Sequence, residues 1–423
     1  MAGGFGMRMG VLSESMPKPM LPVCGKPVLQ HQIEVLRSQR LCNIIITIGY
    51  LGHVIKDYFN DGEKYGVSVK YFQENIPLGT AGSLIALKKD LGDDFLVING
   101  DIIYDMDLSR LIYLHKKKNA LATLVSHPNG HPYDSSKIVT DERDRVTQWY
   151  SKEEKVGIYK NSVNAGIHML NSKALDAFKE IIKIDLDRDV IKPLIGSMRV
   201  YAYNTPEYIS DMGTPARYKE VERDVKTGTV TSKNLINKQR AVFLDRDGVI
   251  NVNKGFINRF DQIELLPGAA QAIRMINKSD MLAIVITNQP VISRGECTWN
   301  ELKQIHNAIE TQLGKEGAYI DDIFVCPHHP DKGFKGEHTK YKIVCECRKP
   351  KPGLIIMASE KYNIDISRSY MVGDNSRDIE AGLSAGCKTV LIGKNNLNNR
   401  ADHTHSSLLD FVKSIPEFSK KGN

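Results

Sequence analysis

Asp245 and Asp247 stand two residues apart in the run 241–251, AVFLDRDGVIN. The four apolar residues 241–244 read as a buried parallel strand, and the two carboxylates follow at its end. In an open α/β sheet that edge is where ligands sit. Two like charges in a partly dry crevice repel each other, so folding alone gives no reason for them. A Mg²⁺ ion and a phosphoryl group would. One carboxylate could attack phosphorus and become an aspartyl-phosphate, while the other passes a proton to the leaving oxygen.

Further strands deliver matching chemistry. The run 281–286 ends at Thr287, Asn288 and Gln289, whose hydroxyl and N–H groups suit phosphate oxygens. Arg348 and Lys349 supply cations able to stabilise charge on a transferring phosphoryl group. The run 370–372 ends at Gly373, Asp374 and Asn375, with Asp378 one helical turn on. Asp245, Asp247 and Asp374 together would make an oxygen shell for Mg²⁺. This order of DxD, Thr, Lys and GDxxxD resembles the haloacid dehalogenase superfamily of phosphatases over roughly residues 240–395.

Between these motifs lie Cys326-Pro327-His328-His329 and Cys345-Glu346-Cys347. Paired spacings of this kind can close a tetrahedral Zn²⁺ site with Cys326, Cys345, Cys347 and one of the two histidines. Spacing alone leaves His328 and His329 open. Such a site would be structural, ordering the loop that presents Arg348 and Lys349. The second half then resembles the D-glycero-D-manno-heptose 1,7-bisphosphate phosphatases and the related histidinol-phosphate phosphatases. The resemblance implies His328 as the ligand, and the long stretch 331–344 favours the heptose side. Arg246 and the stretch Gly255-Phe256-Ile257 lie where substrate contacts are expected. Asn375 and Pro290-Val291 depart from the family pattern and leave the exact substrate open.

The N-terminal half carries a second set. Gly3, Gly4 and Gly6 precede Arg8, and Lys18 follows in a PKPM run. Glycines let a backbone approach phosphates, and Arg8 and Lys18 add positive charge for a triphosphate. GGxGxR followed by PKPM resembles the sugar-1-phosphate nucleotidyltransferases, over about residues 1–225. That resemblance implies a base-and-ribose loop at Gly79, Thr80, Ala81 and Gly82. It implies sugar contacts at Asn164 and Gly166, a phosphate contact at Lys152, and Mg²⁺ carboxylates at Asp101 and Asp211. In-line nucleotidyl transfer needs positioning and charge neutralisation more than covalent help, which suits these residue types. Ser151 replaces the family's glutamate before Lys152. The family also has an apolar strand just before the glycine loop. Met1 stands where that strand should end, so the resemblance implies a chain extending further upstream. Each buried apolar side chain of such a strand is worth roughly 1.5–3 kcal/mol.

These sites need scaffolds, and 423 residues suffice for two or three domains. The expected architecture is α/β with two doubly wound, mostly parallel sheets. A Rossmann-like nucleotidyltransferase domain would span 1–226 and a haloacid dehalogenase-like domain with a zinc loop 240–423. The polar, aperiodic stretch 227–239 reads as their linker. A content of 41% hydrophobic and 25% charged residues is that of a globular chain. The net charge of +7 suits small anionic substrates, sugar phosphate and nucleoside triphosphate, and no Lys/Arg block argues for nucleic acid. No apolar run reaches the roughly 18 residues of a membrane span, and no secretory leader is evident. Seven cysteines, three of them clustered, fit a reducing cytoplasm. Homo-oligomer formation is left open.

Joined, the halves read as consecutive steps. The phosphatase would free C7 of heptose 1,7-bisphosphate, and the other half would activate the 1-phosphate, with GTP as first choice of nucleotide. Two other readings stand beside this one. One is a sugar phosphatase carrying a non-catalytic, nucleotide-sugar-sensing domain. The other is a mannose 1-phosphate guanylyltransferase fused to a histidinol-phosphate-like or other phosphatase.

Overall fold

A computed structural model describes residues 1–2, 16–393 and 400–419. Gly3, Gly4, Gly6 and Arg8 lie outside the described residues. The chain divides into two compact units. One comprises Met1–His127, Ile138–Trp149 and Asn164–Asn234; the other comprises Pro128–Lys137, Tyr150–Val163 and Leu235–Asn423.

The second unit is built on one parallel sheet. Its strands run in the order Asp322–Cys326, Met281–Asn288, Arg240–Leu244, Tyr370–Gly373, Lys388–Ile392, His403–His405. Residues Ala241, Val242, Phe243 and Leu244 of the central strand are all fully buried. An unbroken apolar run suits a strand covered on both faces. Val242 and Leu244 pack toward helices Ala269–Asn277, Trp299–Lys315 and Leu408–Ser414. Ala241 and Phe243 pack toward helices Gly353–Tyr362 and Ser376–Ala385. Leu244 is in register with both Val285 and Val372. That register brings Asp245, the strand end at 287–289 and Asp374 to one edge. The Asp245 N–H donates to Val372 O at 2.9 Å, which extends the ladder to the first carboxylate.

Within this unit, the stretch Tyr150–Val163 lies against helix Trp299–Lys315. The Tyr159 N–H donates to Thr311 Oγ1 at 3.0 Å, and the Asn161 N–H donates to a Glu310 carboxylate oxygen. Glu310 is buried, and burial pushes its carboxyl up to about 7.

The first unit is mixed. Strand Val163–Asn171 runs antiparallel to Asp94–Ile98, while Val200–Asn204 runs parallel to Ala122–His127. A separate parallel pair joins Asn43–Ile48 to Ser68–Gln73. The Ala2 N–H donates to Thr47 O at 2.9 Å and the Met1 amino group to Ile98 O at 2.7 Å. Strands Ile102–Asp105 and Tyr208–Asp211 pair antiparallel, with Asp211 opposite Ile102.

The stretch 227–239 is ordered chain. It holds the short helix Thr229–Ser232 and buries Val230, Leu235 and Gln239. Among the described residues, no helix is long and apolar enough to cross a membrane.

Candidate active sites

Lys349 organises the site of the second unit. Its buried Nζ lies 2.7 Å from Asp245 Oδ1 and 2.7 Å from Asp378 Oδ1, and it donates to Ile286 O at 2.8 Å. Burial alone would lower the lysine's pKa; Asp245 and Asp378 outweigh it and hold the ammonium charged. Burial pushes Asp245 up to about 6, with Asp378 and Asp247 adding repulsion and Lys349 opposing.

Asn288 and Arg246, both expected to touch substrate, have other work. Asn288 clasps the Lys349 backbone, donating to its carbonyl at 3.1 Å and accepting from its N–H at 3.1 Å. Arg246 is buried and grips both Asp247 oxygens at 2.8–3.2 Å. It also donates to His306 Nε2 at 3.4 Å; burial first, then the arginine's charge, pushes that ring down to about 3.

Asp247, expected among the Mg²⁺ ligands, is drawn aside by these bonds. Asn251 and Gln289 donate to it as well, at 2.8 and 3.1 Å. The carboxylates that converge are Asp245, Asp374 and Asp378, with ligand oxygens all within 4.8 Å of one another. Asp374 is raised by burial and by Asp245. Three crowded carboxylates, two of them reluctant to ionise, are a donor set that a hard divalent cation would relieve. Gly248 makes the convergence possible. Its φ is +84°, and a Cβ there would lie 2.0 Å from Asp374 Oδ2.

Thr287 is buried and its hydroxyl accepts from Gln289 Nε2 at 2.8 Å. Arg348 Nη1 donates to His328 O at 3.0 Å, which fixes the arginine to the cysteine-rich loop. In that loop Cys326, His328, Cys345 and Cys347 form a group able to hold a metal ion. Five of their donor separations run from 3.2 to 3.7 Å, with His328 contributing Nδ1. A tetrahedron with arms of about 2.3 Å has edges near 3.8 Å, so the set fits Zn²⁺ closely. His329 is not in the group; its ring accepts from the Asp331 N–H at 3.2 Å.

The first unit holds a cavity of about 330 Å³ whose lining includes Lys18, Glu74, Thr80, Ser83, Asn99 and Asp101. Lys18 Nζ lies 3.7 Å from Asp101 Oδ2. The Met212 N–H donates to Asp101 O at 3.1 Å, so Asp211 sits beside Asp101 across the strand pair. The Asp211 carboxylate is engaged by Arg217 Nη1 at 2.9 Å and by the Gly213 N–H at 2.7 Å.

The loop at Gly79–Gly82 is shaped first by packing. Gly79 and Gly82 let the backbone pass within 2.4 and 2.5 Å, measured from where a Cβ would be, of the Ile184 and Ile182 carbonyls. The Ala81 N–H donates to Ile184 O at 2.9 Å. The Thr80 hydroxyl accepts from the Leu186 N–H at 2.7 Å. Gly79 and Thr80 still line the cavity; Ala81 and Gly82 do not.

Asn164 and Gly166 act on their neighbours. The Asn164 amide donates to Asp187 at 3.0 Å and its oxygen accepts from the Gly166 N–H at 3.2 Å. A Cβ on Gly166 would lie 2.5 Å from Asn99 Nδ2, so the glycine makes room for a cavity side chain. Lys152 is exposed, 3.8 Å from Glu153, in a stretch that belongs to the second unit. It is not among the residues that line the cavity.

Sequence reasoning missed Glu74, Ser83 and Arg217. Ser83 Oγ is buried with no hydrogen-bond partner among the described residues, a sign that only packing reveals.

A carboxylate–lysine centre at the edge of the second unit's parallel sheet, and a lysine–aspartate cavity in the first unit, define a two-part enzyme of phosphoryl chemistry: a nucleotidyltransferase and a phosphatase. The chain belongs to the nucleotidyl transferase family, whose model matches residues 1–228, and its second half belongs with the HAD-hydrolase-like phosphatases, whose model matches residues 346–414. It is 34% identical over 186 residues to the D-glycero-beta-D-manno-heptose-1,7-bisphosphate 7-phosphatase of Escherichia coli K12, covering 43% of this chain and 95% of that protein. It is 37% identical over 149 residues to the Rhodopseudomonas palustris protein of the same name, covering 35% of this chain and 81% of that one. Among solved structures, HddC from Yersinia pseudotuberculosis matches at 24% identity and a TM-score of 0.47, covering 53% of this chain and 96% of that chain.

Proposed function

We propose that the second unit removes the C7 phosphate of D-glycero-D-manno-heptose 1,7-bisphosphate and that the first transfers a nucleotidyl group, GMP from GTP, to the resulting 1-phosphate. The observation that carries the first step is the Asp245–Lys349 pair, in a chain that spans 95% of a phosphatase of that name. Asp245 attacks phosphorus, the bond from phosphorus to the sugar oxygen breaks, and Asp247 gives that oxygen its proton. Water then cleaves the aspartyl-phosphate, with Asp247 taking a proton back. Arg246 and Gln289 hold Asp247 in the orientation this needs. Lys349 offsets charge on the phosphoryl oxygens. Asp245, Asp374 and Asp378 would hold Mg²⁺, which supplies further charge neutralisation. Cys326, His328, Cys345 and Cys347 would hold Zn²⁺ and fix the loop bearing Arg348 and Lys349.

In the first unit Lys18 faces the triphosphate, and Asp101 with Asp211 would hold Mg²⁺. Glu74 supports the choice of guanine. A carboxylate in the cavity is matched by guanine's ring N–H and exocyclic amine, whereas adenine offers no such adjacent pair of donors. The test supplies the bisphosphate with GTP, ATP, CTP and UTP separately and identifies products by mass. GDP-heptose with released phosphate is the expected result. Phosphate release with no nucleotide-sugar from any triphosphate would favour a sensing domain instead.

A further inference from the structure

The loops that leave the sheet beside Asp245 meet at a side chain that the reaction above does not use. Arg294 lies six residues after Asn288. Its guanidinium sits between two rings, 3.9 Å from the Phe256 centroid and 4.4 Å from that of Phe334. Phe256 comes from the loop after Asp245 and Phe334 from the long loop after strand Asp322–Cys326. The loops are tied as well as touching. The His338 N–H donates to Ser293 O at 3.0 Å. A Cβ on Gly295 would lie 1.9 Å from Gly336 O, so only glycine permits that approach.

Buried Nε of Arg294 has no hydrogen-bond partner, and no carboxylate pairs with the guanidinium, among the described residues. Arginine is seldom left so. Two aromatic faces restrain the planar fork without using its N–H donors, which leaves them preorganised for a bidentate acceptor. An apolar ligand would leave those donors unmet, and an isolated buried N–H is costly. The fitting ligand is an oxyanion with paired oxygens.

We propose that Arg294 binds the phosphate that is not removed, at the far end of a sugar bisphosphate. This rests on the bisphosphatase reading above. The reacting phosphate is held by the Asp245–Lys349 centre, and a substrate with one phosphate gives Arg294 nothing to hold. Arg294 is then the residue that distinguishes a bisphosphate from a monophosphate.

The test compares kcat/KM for the sugar 1,7-bisphosphate with that for the matching sugar 7-phosphate. In the wild-type chain the bisphosphate is preferred. Arg294→Gln should lower that preference about tenfold or more, chiefly through KM for the bisphosphate. Phe334→Leu keeps the charge but removes one face of the clamp, and should lower the same ratio by a smaller factor. A ratio unchanged in both variants, whether both substrates suffer equally or neither does, would overturn the assignment of Arg294 alone. A wild-type chain that releases phosphate from neither substrate would overturn the bisphosphatase reading and this proposal with it.

Discussion

A polar side chain at a strand end can face a ligand or a neighbouring backbone, and Asn288 does the second. Its two bonds to Lys349 bridge residues 61 apart in the chain. Asn288→Ala should therefore act on chemistry more than on binding. Expected is a fall in kcat of about 10-fold or more with KM changed less, since a misplaced lysine stabilises the transition state poorly. A rise in KM alone, measured with the bisphosphate, would return Asn288 to the substrate contacts. Glu310 gives a test through stability. Folded, it keeps its proton up to about 7; unfolded, it would release it near its ordinary 4.5. Between those values the native state binds more protons, so stability contributed at this site falls as pH rises. Glu310→Gln removes the ionisation and keeps an oxygen for the Asn161 N–H. Its melting temperature, relative to wild type, should rise between pH 5 and pH 8. An offset constant across that range would contradict the shift.

At the scale of elements, strands were easier to read than loops. The apolar run 241–244 announces a strand buried on both faces, and the charged residues after it announce the ligand edge. Asp245 and Asp374 were legible for that reason, and Lys349 through the cation that phosphoryl chemistry calls for. The cysteine–histidine spacing was legible because metal ligation imposes its own geometry. The bonds that hold Arg246 and Asp247 were not, because they depend on partners brought in from Asn251, Gln289 and His306. In the other half, packing was what the glycines did not announce. Gly79 and Gly82 fall where the resemblance places a base-and-ribose loop, and the close approach they allow is to the Ile184 and Ile182 carbonyls. The cysteine-rich loop can be tested as an element. Elemental analysis should find about one zinc per chain, and Cys345→Ser should lose it. Because Arg348 donates to His328 O, that variant should raise KM and lower kcat/KM for the bisphosphate while nucleotidyl transfer stays intact. Metal-free protein with full phosphatase activity would refute a structural role for the cluster.

At the scale of the whole molecule, each chemistry has its own carboxylates, so the activities should separate cleanly. Asp101→Ala should abolish nucleotide-sugar formation and leave phosphate release at the wild-type rate. Asp245→Asn should do the reverse: no phosphate release, with pyrophosphate still formed from heptose 1-phosphate and GTP. An amide is too poor a nucleophile to open the first path, and the second never passes through it. Loss of both activities from either substitution would show that the units do not work independently.

Gly248 carries a consequence in terms of mutational distance. Every glycine codon is one base change from an alanine codon. A methyl group at 248 would stand 2.0 Å from an Asp374 oxygen, on backbone with φ of +84° that costs an alanine about 1–2 kcal/mol. That strain is small beside the stability of a domain, so the sheet would survive while the three carboxylates could no longer converge. A lineage that stopped needing the hydrolytic step could therefore silence it in a single event, without deleting a domain or altering one charge.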